Sequence, residues 1–339
     1  MSKNQRNVCL DLMKVVAACA VVCIHIKFPG WFGQAVDAVA RFAVPLFFMV
    51  SGYFACFDGT DKIKKKLFHI LKIYAVSVVL YFVYGFVRAL FYDVQFAMTW
   101  YLGKYTDVTF WFSWLFLNDS RTPGHLWFLP ALAYTYGMQI LLLKCRWKKE
   151  YCMLSGIGLL CVHLILGELL PASGVEIPHI WIRNFLLMGY PCFALGMILR
   201  KYQNTFLHQM TPMTCIGIVF LGAIESCISE RLFGQCEMYV GSILIAVAVM
   251  VLCLQYREKN YGKVLTLVSG TGLYVYILHI MIDEILSLFL QKVGFPYESE
   301  VWRWLQPTAV CIVSVGVGVL IQLFLNHWKW QYKVKGEHK

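Results

Sequence analysis

Charged side chains are scarce in this chain of 339 residues: Asp, Glu, Lys and Arg make up 14%, against roughly 25% in soluble globular domains. Hydrophobic residues make up 59%, and the mean hydropathy is +0.62. This composition excludes an ordinary soluble protein. It predicts an all-α membrane protein in which about ten transmembrane helices form one bundle. We therefore expect a single integral membrane domain over residues 1–339, with no soluble domain.

The chain also lacks the motifs of several enzyme classes. It contains no G-x-G-x-x-G, Walker-type, G-x-S-x-G or H-E-x-x-H pattern, which argues against dinucleotide binding, P-loop chemistry, α/β-hydrolase chemistry and zinc proteolysis. The thirteen cysteines lie mostly inside apolar runs, without the spacing of metal ligands. We expect them to pack as small hydrophobic residues, and we predict no metal site.

The net charge of +11 is an orientation signal rather than a nucleic-acid footprint, so we predict no nucleic-acid partner. Nineteen Lys and Arg residues fall in segments on one side of the predicted spans and seven on the other. By the positive-inside rule, both termini are predicted to be cytoplasmic. The predicted spans are 8–27, 35–56, 68–91, 126–143, 152–170, 184–199, 213–230, 239–256, 266–289 and 305–327.

The aromatic segment 98–118 is interrupted by Lys104 and Asp107. Such aromatic residues favour the boundary between lipid headgroups and hydrocarbon. We predict that this segment lies in the interface or re-enters the membrane. An eleventh span at this place would break the alternation of basic loops.

The first predicted helix carries polar groups on one stripe. Lys14 and His25 are 11 residues apart, which is three turns plus about 20°, or about 16 Å along the axis. Asp11 lies one turn before Lys14 and can pair with it. One interpretation is a structural ion pair with an interfacial histidine. The other is a functional stripe in which His25 is an acid or base, because imidazole titrates near neutral pH.

Further candidates lie on later spans. Arg41 is predicted at the depth of His25, where it could hold an oxygen of the substrate, although snorkelling to the interface also explains it. Trp127 is either a substrate platform or a belt aromatic. His279 precedes Asp283 by one turn, a spacing at which the carboxylate can orient the imidazole, although a structural buried histidine fits equally well.

A cluster of lysines in the second basic loop (Lys64, Lys65 and Lys66) is typical of an orientation anchor. It also suits a polyanionic donor, since phosphates favour lysine clusters.

Several segments together resemble the acyltransferase-3 family of multi-pass membrane O-acyltransferases. They are "LDLMKVVAACAVVCIH", "RFAVPLFFMVSGYF", "GHLWFLPALAY", "RNFLLMGYPCFALGMILRKY" and "YVYILHIMI". The details are most similar to stand-alone relatives of the membrane half of vancomycin-type serine racemases. The family pattern usually has Arg where this chain has Lys14. Lysine keeps the positive charge but lacks the planar guanidinium, which can bind two oxygens at once.

The resemblance implies ten transmembrane helices and transfer of an acyl group, such as acetyl, from cytoplasmic acyl-CoA (acetyl-CoA) to a hydroxyl of a glycan. Acyl-CoA is then a co-substrate, no cofactor is bound, and the partners are membrane lipid and the acceptor. His25 and Lys14 are the implied catalytic residues, with Asp11, Arg41, Trp127 and His279 near the substrate. Whether His25 acts as a base or carries the acyl group stays open. We expect a multi-pass protein of a bacterial cell membrane.

A second function remains open from the residues alone. A polar stripe through a bundle also suits a transporter or exporter of a small polar molecule, such as an amino acid, or of a lipid-linked glycan.

Overall fold

Helices account for nearly all of the structure. The computed structural model describes residues 7–91, 94–116, 124–175, 177–257, 259–296 and 299–337, and it is 85% helical with no strand in these ranges. The predicted all-α membrane class is confirmed. The longer helices are α1 (Val8–His25), α2 (Gly30–Ala40), α3 (Ala43–Ala55), α4 (Thr60–Leu90), α5 (Val108–Phe116), α6 (Phe128–Lys144), α7 (Lys149–Leu164), α8 (Tyr190–Lys201), α9 (Pro212–Phe233), α10 (Val240–Gln255), α11 (Gly272–Lys292) and α12 (Glu300–Glu337).

Short helical segments join or extend these helices. They are Val94–Phe96, Ala97–Tyr101, Gly103–Thr106, Gly124–Trp127, Ile165–Leu169, Leu170–Ala172, His179–Ile182, Phe185–Gly189, Gln203–Gln209 and Gly262–Val268.

Eight helices among the described residues are long and apolar enough to cross a membrane. They are Val8–His25, Gly30–Ala55, Thr60–Leu90, Gly124–Lys144, Lys149–Ala172, Pro212–Phe233, Gly272–Lys292 and Glu300–Trp328. The predicted span 239–256 corresponds to α10, an apolar helix of 16 residues. The predicted span 184–199 is a π turn followed by α8. The count of ten and the side of each terminus stay predictions.

The aromatic segment forms short pieces, as its interrupting charges suggest. A π turn at Ala97–Tyr101 and a 3₁₀ turn at Gly103–Thr106 precede α5, which has nine residues. The predicted segment ends at residues 117 and 118, which lie outside the described ranges.

The predicted second span 35–56 differs from a continuous helix. α2 ends at Ala40, and α3 begins at Ala43. Pro45 lies in the first turn of α3, where the missing N–H costs no intrahelical hydrogen bond. The break therefore precedes the proline and places Arg41 at the junction between two helices.

The described residues divide into two compact units. Unit 1 consists of the chain up to Phe47 and from Asn204 onward, and unit 2 is Phe48–Gln203. Within unit 1, α1 is the central helix, since it contacts α2, α10, α11, α12 and the short helix Gly262–Val268. The prediction of one integral membrane domain stays a prediction.

Local sequence sets where α1 begins. The Asn7 side chain accepts a hydrogen bond from the Leu10 backbone N–H at 3.0 Å, as an N-cap residue should. The same side chain donates to the Cys253 carbonyl at 3.2 Å. The start of α1 is thus fixed to the end of α10 within unit 1.

Unit 2 contains a close approach between α3 and α8. A Cβ atom at Gly52 would collide with the carbonyl oxygen of Phe193, and one at Gly196 would collide with that of Met49. Small residues at such contacts let helix backbones approach closely in a membrane, where van der Waals packing drives association. The two glycines therefore set the spacing of these helices.

We expect Gly52→Ala and Gly196→Ala each to destabilise the protein by about 1–3 kcal/mol, because the added methyl group forces α3 and α8 apart. Thermal unfolding in detergent measures this. The matched control is Gly217→Ala on α9, where a Cβ atom has open space and where alanine favours the helix. Equal unfolding temperatures for Gly52→Ala and Gly217→Ala would contradict the prediction.

Candidate active site

Two histidines lie side by side in unit 1. His25 is the last residue of α1, and His279 lies on α11. Their ring centroids are 5.4 Å apart, and the ring planes are inclined by 33°. His279 is fully buried, whereas His25 is exposed. The pair thus joins a buried imidazole to an exposed one.

The backbone of α11 orients His279. Its Nδ1 atom lies 2.9 Å from the carbonyl oxygen of Tyr276 and 3.2 Å from that of Val275. Because a carbonyl oxygen only accepts hydrogen bonds, Nδ1 carries the proton in the neutral ring, and Nε2 holds the lone pair. The alignment of these groups within one helix therefore selects the tautomer.

Asp283 has a different partner from the one suggested by the sequence. Its Oδ1 atom accepts a hydrogen bond from Nε2 of Gln306 on α12 at 2.7 Å. The sequence suggested that Asp283 orients the His279 ring. Instead, the backbone carbonyl groups of Val275 and Tyr276 contact Nδ1 of that ring. They can do so because those carbonyls line the same helical face as the imidazole.

Asp11 and Lys14 form the ion pair that their spacing suggests. Nζ of Lys14 lies 2.6 Å from Oδ1 of Asp11, and both side chains are partly exposed. α11 begins beside this pair, because a Cβ atom at Gly272 would lie 3.2 Å from the carbonyl group of Lys14. α1 and α11 thus run parallel from the ion pair to the histidines.

Arg41 is buried in a network of charges, with 7% of its surface exposed. Its Nε donates to Asp37 at 3.1 Å, and its Nη1 donates to Glu237 at 3.2 Å. Nζ of Lys27 lies 2.8 Å from the second Asp37 oxygen. The guanidinium is therefore paired inside the protein rather than snorkelling to the interface. Its predicted role at the substrate stays a prediction, and a substrate would share it with two carboxylates.

Sequence reasoning missed the acidic members of this network. The four-residue spacing of Asp37 and Arg41 is the signal that could have found the first, because such residues are neighbours on a helix. Glu237 lies in the turn before α10, where no periodic pattern marks it.

Glu225, an acidic residue within a predicted span, caps a helix. Its Oε2 accepts a hydrogen bond from the backbone N–H of Gly241, in the first turn of α10, at 2.5 Å. A carboxylate at a helix N-terminus is stabilised by the helix dipole and by otherwise unpaired N–H groups. Glu225 thus has a structural role.

The remaining candidates belong to unit 2. Trp127 is buried just before α6, and the guanidinium carbon of Arg183 lies 5.5 Å from its ring centroid. At the start of α4, Lys66 pairs with Asp58 at 2.8 Å and Lys64 with Asp61 at 3.7 Å, while Lys65 is exposed. Their roles in substrate and donor binding stay predictions.

Comparison with known proteins gives a family match along most of the chain. A family model described as an acyltransferase domain matches residues 7–323. An amino-acid racemase from Enterococcus faecalis is 36% identical over 87 residues, which are 22% of this chain and 12% of the racemase. The match spans a small part of that protein. No solved structure matches the chain.

We expect Asp37→Asn to destabilise the protein by about 3–5 kcal/mol, because it removes the carboxylate that faces the buried Arg41 guanidinium and Lys27. Thermal unfolding in detergent measures the loss. The matched control is Asp61→Asn, which removes an exposed ion pair with Lys64 and should cost about 0–1 kcal/mol. Similar losses for the two variants would contradict a structural role for the buried network.

Proposed function

This chain belongs to the acyltransferase-3 family and is a membrane acyltransferase, and we propose that it transfers an acetyl group from cytoplasmic acetyl-CoA to a hydroxyl of a cell-surface or lipid-linked glycan. The observation that carries this proposal is the contact between His25 and His279. An exposed imidazole beside a buried one of fixed tautomer suits proton transfer at a reacting hydroxyl.

In the proposed reaction, His25 takes the proton of the acceptor hydroxyl while the oxygen of that hydroxyl attacks the thioester carbonyl. The carbon–sulfur bond then breaks, and the leaving thiolate receives the proton from the imidazolium. In the alternative route, His25 attacks the thioester first and the carbon–sulfur bond breaks, which gives an acyl-imidazole and a thiolate. The acceptor hydroxyl then takes the acyl group from the ring, and its proton goes to the thiolate. Both routes end with an ester and a free thiol.

His279 supports either route through its Nε2 atom. The carbonyl groups of Val275 and Tyr276 hold the proton on Nδ1, so Nε2 of the neutral ring carries a lone pair and is an acceptor. A protonated His25 ring is a suitable donor because both nitrogens of an imidazolium carry protons. His279 then stabilises the charge that forms on His25.

The donor is proposed to keep its phosphates at the basic end of the spans. Lys65 is exposed and Lys64 is only loosely paired at 3.7 Å, so both can face an added phosphate. Lys66 is engaged by Asp58 and by the carbonyl oxygen of Phe54. We infer that the thioester passes Lys14, which is paired with Asp11 near the start of α1, on its way to His25.

The match to a racemase favours amino-acid transport as a second candidate. Purified protein incubated with labelled acetyl-CoA and a cell-wall polysaccharide fraction separates the two functions. Transfer of label to the polysaccharide supports the acyltransferase proposal. Uptake of amino acids into proteoliposomes without added acetyl-CoA, and without transfer of label, would support transport instead.

We expect His25→Ala to lower acyl transfer by about 10²–10⁴-fold, because the general base or acyl carrier is removed. Label transferred to the polysaccharide measures the loss, and thermal unfolding checks the fold. His208→Ala, which changes an exposed histidine of the same unit, should retain wild-type activity. Undiminished transfer by a folded His25→Ala protein would exclude the assignment.

We expect His279→Phe to keep the packing of a buried ring but to lose most acyl transfer, because phenylalanine has no acceptor atom for the proton of a positively charged His25. The same label assay measures the rate over a range of pH. Loss of activity with a shifted pH profile and a normal unfolding temperature supports the role. A wild-type rate and pH profile would show that His279 only fills space.

A further inference from the structure

An open pocket of about 530 Å³ lies in unit 1, apart from the histidine pair, between the short helix Gly262–Val268 and α12. Its lining is rich in amide and hydroxyl groups and contains one lysine. The lining residues are Asn260, Gly262, Lys263, Thr266, Leu267, Gln322 and Asn326. None of these residues has a role in the reaction described above.

Hydrogen bonds within the lining determine which of its polar groups can serve a ligand. Oδ1 of Asn260 accepts from the backbone N–H of Gly262 at 3.0 Å, so its amide nitrogen is the group left for a ligand. The hydroxyl of Thr266 donates to the Gly262 carbonyl at 2.7 Å, so its single proton is not offered to a ligand. The remaining donors of the lining are the amide of Asn260, the ammonium of Lys263 and the amides of Gln322 and Asn326. Such a set of donors suits a ligand with several anionic oxygens.

Exposed apolar side chains border this polar lining. On the short helix, Val264 is 74% exposed, and Leu265 is 45% exposed. Both residues lie on the helix that supplies Gly262, Lys263, Thr266 and Leu267 to the lining. Apolar surface therefore adjoins the lining on the side of the short helix.

We propose that this pocket binds the headgroup of an anionic phospholipid. The phosphodiester oxygens take hydrogen bonds from the lining, and the acyl chains lie against the exposed Val264 and Leu265 of the short helix. A soluble phosphate compound would use the lining but has no need of that apolar border. The pocket lies at the end of unit 1 where α11 begins, which the charge distribution assigns to the cytoplasmic leaflet. That leaflet attracts basic segments through its anionic lipids.

Native mass spectrometry of the detergent-solubilised full chain tests this proposal. The probes are dioctanoyl phosphatidylglycerol and dioctanoyl phosphatidylcholine, each titrated with and without coenzyme A. We expect phosphatidylglycerol to bind more tightly than phosphatidylcholine and coenzyme A not to displace it. Lys263→Gln should weaken phosphatidylglycerol binding about fivefold, since one lysine near an anionic lipid contributes about 1 kcal/mol.

The matched control is Lys292→Gln, which removes an exposed lysine at the other end of α11 and should leave lipid binding unchanged. Asn326→Leu, at an exposed position, tests the amide lining without touching the charge. Equal binding of the two lipids, displacement by coenzyme A, or equal affinities in the Lys263→Gln and Lys292→Gln proteins would overturn the proposal. The measurement needs no acyl transfer, so its failure leaves the proposed function untouched.

Discussion

The packing of α1 against α11 is the contact on which the candidate site depends. At one end, Gly272 lets α11 begin against the backbone of Lys14. At the other end, the same two helices bring His25 and His279 together. Between these points, small buried residues of α1 such as Ala17 and Ala18 allow a close approach. In a membrane, this fit stabilises the pair mainly by van der Waals contact, because lipid tails are as apolar as the helices.

Pairing of charges is the second constraint on unit 1. Arg41 is held by Asp37 and Glu237, and Lys14 is held by Asp11. An unpaired charge at membrane depth is costly, so each of these groups stabilises another. This pairing limits what the cations can offer a substrate. The imidazoles are different, because a neutral histidine can be buried or exposed without a counter-ion and still exchange a proton.

The periodicity of the sequence was sufficient to place Asp11, Lys14 and His25 on one helix, because these positions share a face whatever surrounds them. The contact between His25 and His279 was not predictable in this way. It depends on which helices are neighbours, and 253 residues of chain separate the end of α1 from His279. The break at Arg41 was also missed, because Gly30–Ala55 is long and apolar enough to be interpreted as one span and only the backbone shows where α2 ends. Glu237 was missed for a related reason, because residues in a turn follow no helical periodicity that could mark them.

The arrangement of α1 explains how a charged donor could serve a reaction at the far end of a span. The ion pair lies in the first two turns of the helix, and His25 is its last residue, about 16 Å further along the axis. A donor with anionic phosphates and a long neutral arm can leave the phosphates beside basic side chains while the arm extends along the helix. Only the uncharged thioester then reaches the imidazoles. In this arrangement no charged group of the donor has to enter the hydrocarbon region, where a charge is costly. This favours a thioester donor over a small anionic donor.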